Sequence, residues 1–310
     1  MRIVCPLSLE DMATTHALRN RPGYWATYAE GVVRALKTIG YPLVSPEKPL
    51  DCASGAEYQT PMAHTFKTTW EFDDGRRSEL GVCYADHGPS REWPEVDAVM
   101  AMRWHPSRHE SGQIGKVFPA GFPISIGYST GDTDKFLSQD LPALRAIKDS
   151  DVQFSGVYFN EGHFRTIGKF DKDNFPNRIR FRDFLLPESN IPRVDGREWD
   201  SNVATHRWVL NLCGQGNSID RKVVEMCAIG TGIISDRGLE DLELPFGGKF
   251  VHGENIWFVD NPDEVYRVAK TVSRETWWEL VDGSRSLYEK SLSPEAIGKW
   301  FLQCAQEVAR

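Results

Sequence analysis

The sequence predicts an α/β fold in two layers, the second of them doubly wound. Three observations predict it. The chain opens strand–helix–strand, the usual start of a parallel layer. Its second half alternates short apolar runs with helical stripes. Its 310 residues make about two domains at roughly 100–200 residues each.

The elements follow in order. Residues 2–7 read as a first buried strand. A helix spans 25–39, because Trp25, Tyr28, Ala29, Val32, Leu36 and Ile39 recur at spacings of three and four on one face. Gly40 stops it and Pro42 lies beyond. Residues 41–44 form the next strand, and 45–71 carry few periodic signals and read as loops. The apolar runs 80–85 and 96–102 read as buried strands, and 118–126 as a crossover loop. The polar stretch 132–150 joins the halves, which sets domains at 1–145 and 146–310.

In the second half, 152–156 reads as a strand, 162–170 as a helix and 179–185 as a strand. Residues 208–213 are a strong buried strand, and 214–217 a tight turn. A helix over 219–228 takes Ser218 as its N-cap, and 231–235 is the next strand. Residues 249–252 and 256–260 are short extended pieces. Helices fill 262–273, 275–290 and 294–308. The last has Ser293 at the N-cap and Pro294 at the first helical position. Its apolar stripe is Ile297, Trp300, Phe301, Cys304 and Val308.

Composition excludes several classes. With 40% hydrophobic and 26% charged residues, the chain is not disordered, collagenous or a coiled coil. Its 36 basic against 44 acidic residues argue against nucleic acid, whose phosphates need a basic face. No apolar run approaches the roughly 18–20 residues of a membrane span. Peripheral membrane contact stays open. The six cysteines form no CxxC pair. With no long apolar leader, buried free thiols in a reducing cytoplasm are the expectation.

The chemistry concentrates in residues 214–231. A strand runs into a turn holding Gly214, Gly216, Asn217 and Ser218, and then into a helix. Such a turn exposes backbone N–H groups, and the helix N-terminus adds about half a positive charge, so an anion fits. Arg221, in the first turn, supplies a planar fork suited to phosphate. Glu225 lies four residues on, on the same face. A carboxylate there accepts two hydrogen bonds from a ribose diol. The same two residues at i, i+4 also make a routine surface ion pair, and the glycines alone only close a turn. No third Gly completes the dinucleotide fingerprint.

The run Glu225-Met226-Cys227-Ala228-Ile229-Gly230-Thr231-Gly232-Ile233-Ile234-Ser235-Asp236 resembles the donor-site helix and following strand of GT-B-type glycosyltransferases. Their pattern is, loosely, Glu-Ala-x-Ala-x-Gly-x-Pro-Val-Ile-x-Ser/Asp. Val251-His252-Gly253-Glu254-Asn255-Ile256-Trp257-Phe258-Val259-Asp260 resembles their His-Gly-Glu-Asn turn, and Pro262-Asp263-Glu264-Val265 opens a helix as theirs does. The order Gly-x-Gly-x-x-Ser-x-x-Arg-x-x-x-Glu is also similar to that of exostosin-like transferases. The resemblance covers residues 207–310. It departs at Asn217, where many retaining members carry an acid, and at Gly232, where Pro is usual.

The resemblance implies two Rossmann-like domains. The first, 1–145, would be the acceptor side, and the second, 146–310, the donor side. It implies transfer of a sugar from a nucleotide-sugar donor to an acceptor hydroxyl on a glycan or glycolipid. It implies no cofactor, the nucleotide sugar being a substrate, and no metal. In agreement, no Asp-x-Asp triplet ends an apolar run. Asp73-Asp74 and Asp171-x-Asp173 sit in polar contexts, and His105 and His109 have no partners for a zinc site.

For the acceptor's proton, Asp86 and His87 follow a predicted strand on the acceptor side and are the candidate base, with His105 second. In related transferases the loop and helix where Arg165 falls bring a basic residue to the diphosphate. Trp277-Trp278 read as packing rather than as a sugar platform. Two other readings stand beside transfer: a non-catalytic nucleotide- or sugar-binding domain derived from a transferase, and a nucleotide-sugar epimerase.

Overall fold

Ile3, Trp70 and Leu80 lie fully buried on adjoining strands of one sheet and mark the core of the first half. The computed structural model describes residues 1–5, 24–45, 65–83, 96–101, 116–121, 157–159, 181, 206–213, 219 and 221–310. By contacts within the chain these fall into two compact units. One comprises Met1–Ser125, Glu243–Gly248 and Lys290–Arg310; the other comprises Ile126–Leu242 and Lys249–Glu289. The segments interleave, so one cut in the chain does not separate the units.

The first unit holds a six-stranded mixed sheet. Its strands are β1 (Arg2–Val4), β2 (Leu43–Val44), β3 (Thr65–Glu71), β4 (Arg77–Cys83), β5 (Ala98–Ala101) and β6 (Lys116–Pro119). Their order is β2-β1-β3-β4-β5-β6. Strand β3 runs antiparallel to both neighbours, and the other pairings are parallel. Helix α1 (Tyr24–Thr38) links β1 to β2 as the sequence predicts. It buries Val32, Val33, Ala35 and Leu36.

Strand β3 corrects the loop reading of 45–71 at residues 65–71; residues 46–64 lie outside the described residues. Phe66, Thr68 and Trp70 alternate on a buried face, but a threonine in the middle breaks the apolar signal. Its hydroxyl takes the Trp70 indole N–H at 3.1 Å, which makes the buried position affordable. The β3–β4 hairpin turns through Asp74-Gly75, with Gly75 at φ 87°. Asp74, considered above for metal, accepts from Arg76 at 2.8 Å, and that guanidinium holds its carboxyl below the usual range. Strand β6 likewise begins before, and overlaps, the stretch expected to be a crossover loop. It is an edge strand and ends at Pro119, a position that tolerates a missing N–H.

The second unit holds four parallel strands, β7 (Val157–Phe159), β8 (Trp208–Asn211), β9 (Gly232–Ser235) and β10 (Trp257–Phe258), ordered β10-β9-β8-β7. The order is sequential, so the reversal of a doubly wound sheet is not seen among the described residues. β8 and β9 are buried along their whole length, the pattern of parallel strands covered on both faces. Helix α2 (Arg221–Ile229) connects them. Helices α3 (Pro262–Thr271) and α4 (Arg274–Leu287) follow β10. Trp208, Trp277, Leu280, Ile234 and Phe181 form the core of this unit. Phe181 is helical, not extended as the sequence reading had it.

A π-helical turn, Tyr288–Leu292, leads to α5 (Pro294–Val308). Ser293 caps α5 by accepting from the Ala296 N–H at 3.2 Å. Within the first unit α5 packs on α1, burying Ile297, Phe301 and Cys304. Trp300 is half-buried and donates to the Pro119 carbonyl at 2.7 Å. Among the described residues no helix is long and apolar enough to cross a membrane.

Candidate functional site

Helix α2 gathers Arg221, Lys222 and Glu225 on one side and is apolar around the rest. Val223, Val224, Met226, Cys227, Ala228 and Ile229 are all buried. Glu225 lies among them at 1% exposure. At that burial Glu225 is not a surface charge. A carboxylate so far from water is costly unless it is hydrogen-bonded or neutralised, and such groups gather at functional sites. The helix ends at Gly230, whose φ of 76° suits the left-handed cap. The Gly230 and Thr231 N–H groups both donate to the Met226 carbonyl, at 3.0 and 3.2 Å. Arg285 of α4 adds a donor to the Ala228 carbonyl.

The carboxyl ends of β8 and β9 lie side by side, since Asn211 pairs with Ser235. In open parallel sheets that edge is where ligands bind. Three polar residues, Asn211, Ser235 and Asp236, meet there with Cys213. The Asn211 amide donates to the Ser235 hydroxyl at 2.9 Å and to the Cys213 sulfur at 3.8 Å. Asp236, at 3% exposure, accepts from the Cys213 and Gly238 N–H groups, each at 3.3 Å. One carboxylate thereby ties the chain leaving β8 to the chain leaving β9. Sequence reasoning missed Asn211, Ser235 and Asp236 as a group. Arg237 beside them donates to Asp260 and Glu240, each at 2.7 Å. These carboxylates raise its pKa above the ordinary arginine value and commit its guanidinium to them.

The His252–Asn255 turn is closed by its own polar groups. The Asn255 side chain accepts from the Val251 N–H at 2.9 Å and donates to the Lys249 carbonyl at 3.1 Å. His252 is exposed, and its Nδ1 accepts from the Phe258 N–H at 3.0 Å. In the neutral ring the proton therefore sits on Nε2. Gly283 of α4 backs this turn: a Cβ there would collide with the Glu254 carbonyl oxygen and meet Asn255 Cα at 3.6 Å.

The second departure from the GT-B pattern has a packing reason. A Cβ on Gly232 would overlap the Trp277 indole nitrogen and lie 2.9 Å from the Arg207 carbonyl oxygen. The Gly232 N–H also donates to that carbonyl at 3.0 Å, which proline cannot do. Trp277 is core, at 1% exposure, and Trp278 packs against it half-buried.

Of the expected site residues, Glu225 is placed with its side chain, and Arg221 by its backbone at the start of α2. Gly214, Gly216, Asn217 and Ser218 occupy the sequence between β8 and α2, outside the described residues. Asp86, His87, His105, His109, Arg165 and Asp171-x-Asp173 also lie outside them. Among the described residues, no three metal-ligating side chains cluster.

No protein-family model matches the chain. No curated protein matches it either. The solved structures similar to it include two at 12% identity. One is a glycosyltransferase from Rickettsia africae ESF-5, with a TM-score of 0.42, covering 68% of this chain and 63% of that one. The other is a sucrose-phosphate synthase from Thermosynechococcus elongatus, with a TM-score of 0.42, covering 69% of this chain and 59% of that one. The chain thus spans about three fifths of the length of these structures.

Proposed function

We propose that the chain is a GT-B-type glycosyltransferase. It moves a sugar from a nucleotide-sugar donor to a hydroxyl on a glycan or glycolipid, without a metal. The observation that carries the reading is the buried Glu225 on α2, in the helix that follows the Gly-rich turn, between two parallel strands. The sequence order of that segment and of the His252–Asn255 turn supports it.

In this reading Gly214, Gly216, Asn217 and Ser218 surround the diphosphate. Arg221, with Arg165 as a second cation, meets the charge that grows on the diphosphate as the glycosidic bond breaks. Glu225 accepts from the ribose diol. The acceptor oxygen attacks the anomeric carbon, and the nucleoside diphosphate leaves with the bonding pair. If the sugar is inverted, Asp86 or His87 takes the acceptor proton. The first domain, residues 1–145, is then the acceptor side.

The test is donor consumption, followed as release of nucleoside diphosphate from a panel of nucleotide sugars with glycan acceptors. Consumption that needs the acceptor and survives excess EDTA is expected. Donor turnover without acceptor, or activity lost to chelator and restored by manganese or magnesium, contradicts the reading.

A further inference from the structure

At the carboxyl end of β8 the Asn211 side chain is 1% exposed. Its Nδ2 is engaged by Ser235 and Cys213. Its Oδ1 has no hydrogen-bond donor among the described residues. A buried acceptor left unmade costs the desolvation of that group, so its position calls for a reason. The position is specific. Asn211 is the last residue of β8, held from the side by the last residue of β9, on the edge of a parallel sheet where ligands bind. The amide nitrogen faces Ser235 and Cys213, and the oxygen is the open group.

We infer that Asn211 is a ligand-reading residue, whose Oδ1 accepts a hydrogen bond from an O–H or N–H of the nucleoside or sugar of the donor. This rests on the donor-site reading above. The chemistry excludes the diphosphate as the partner. An ionised phosphate oxygen only accepts, and so does Oδ1, so the two repel. The donors on a nucleotide sugar are its ribose and hexose hydroxyls and the N–H groups of its base. Asn211 therefore contributes to selection of the nucleoside or sugar, not to binding of the charge. Because a site built around a hydrogen bond rejects ligands that lack the matching group, it is a specificity-determining position.

The experiment compares wild type with Asn211→Leu/Ser235→Ala, by calorimetry and thermal shift. The double variant replaces both partners of the buried bond with apolar groups of similar shape, which is close to neutral for folding. The probes are UDP, GDP, ADP, the corresponding nucleotide sugars and inorganic pyrophosphate. The inference expects an unliganded melting temperature at or above that of wild type. It expects nucleoside diphosphate or nucleotide-sugar affinity to fall about five- to tenfold, as for one lost hydrogen bond, with pyrophosphate affinity unchanged. Loss with the nucleotide sugar alone places the contact on the sugar, and loss with the free diphosphate as well places it on the nucleoside. Asn211→Asp, which keeps an acceptor oxygen there, retains the affinity.

Unchanged nucleotide affinity in the double variant overturns the inference, and so does an equal loss for pyrophosphate. A double variant that fails to fold also overturns it, because Oδ1 then has its donor within the protein. Equal loss in the Asp and Leu variants does the same. If wild type binds none of the nucleotides, the donor-site reading itself has failed, a result distinct from all of these.

Discussion

The indole of Trp277 occupies the space that a side chain on Gly232 would need. Its N–H donates to the Arg207 carbonyl at 2.9 Å, the same oxygen that receives the Gly232 N–H at 3.0 Å. Helix α4 and strand β9 are thus locked through one backbone carbonyl, with the Arg207 guanidinium 5.6 Å from the centre of the Trp277 ring.

Adding a methyl at position 232 therefore forces out the indole or the strand. Gly232→Ala is expected to lose about 1–3 kcal/mol of stability, the usual cost of overpacking. Gly232→Pro is expected to lose about 3 kcal/mol or more, because it also removes the N–H. Urea denaturation measures both. In a Trp277→Leu background the alanine cost should shrink, with a coupling energy of about 0.5–3 kcal/mol. Equal costs in the two backgrounds would show that the indole is not the obstacle.

Gly283 offers a test of opposite sign to propensity. In a free helix, Gly→Ala stabilises by roughly 0.8–1.0 kcal/mol. Here the added methyl meets the Glu254 carbonyl, so Gly283→Ala should destabilise and disturb the His252–Asn255 turn. A thermal melt above that of wild type would remove the close approach from the account.

Burial sets thiol reactivity. Cys227, fully out of water, has its thiol pushed up to about 12, and burial also raises that of Cys304. The thiolate is the nucleophile, so at pH 8 neither should alkylate in the native protein. Iodoacetamide labelling read by mass spectrometry should find both unmodified until denaturant is added. Native labelling of Cys227 would mean that α2 is not buried as described.

The β8–α2–β9 segment was legible in the sequence for a physical reason. Its strands open on apolar runs that end in Asn211 and Ser235, and glycines punctuate the turns before and after the helix. Strand β3 was not, because Thr68 takes a core position satisfied only once the strand is formed, by the Leu80 carbonyl on β4 and the Trp70 indole two residues on. Asp74-Gly75 was the available signal, a hairpin dipeptide between alternating residues. Glu225 stood out in the sequence by its spacing to Arg221, although its burial did not. Asn211, Ser235 and Asp236 were illegible. They meet only through the parallel register of β8 and β9, which places residues 24 apart in sequence within hydrogen-bond reach.

The central claim is that the turn before α2 holds a diphosphate whose charge grows during reaction, with Arg221 set against it. The most direct measurement is the kcat for acceptor-dependent donor consumption by wild type, Arg221→Lys and Arg221→Ala, with folding checked by circular dichroism. The account predicts a loss on the order of 100-fold or more in the alanine variant, as for a preorganised transition-state contact. The lysine variant, which keeps charge but not the fork, should be clearly impaired. A folded Arg221→Ala enzyme with near-wild-type kcat would contradict the account.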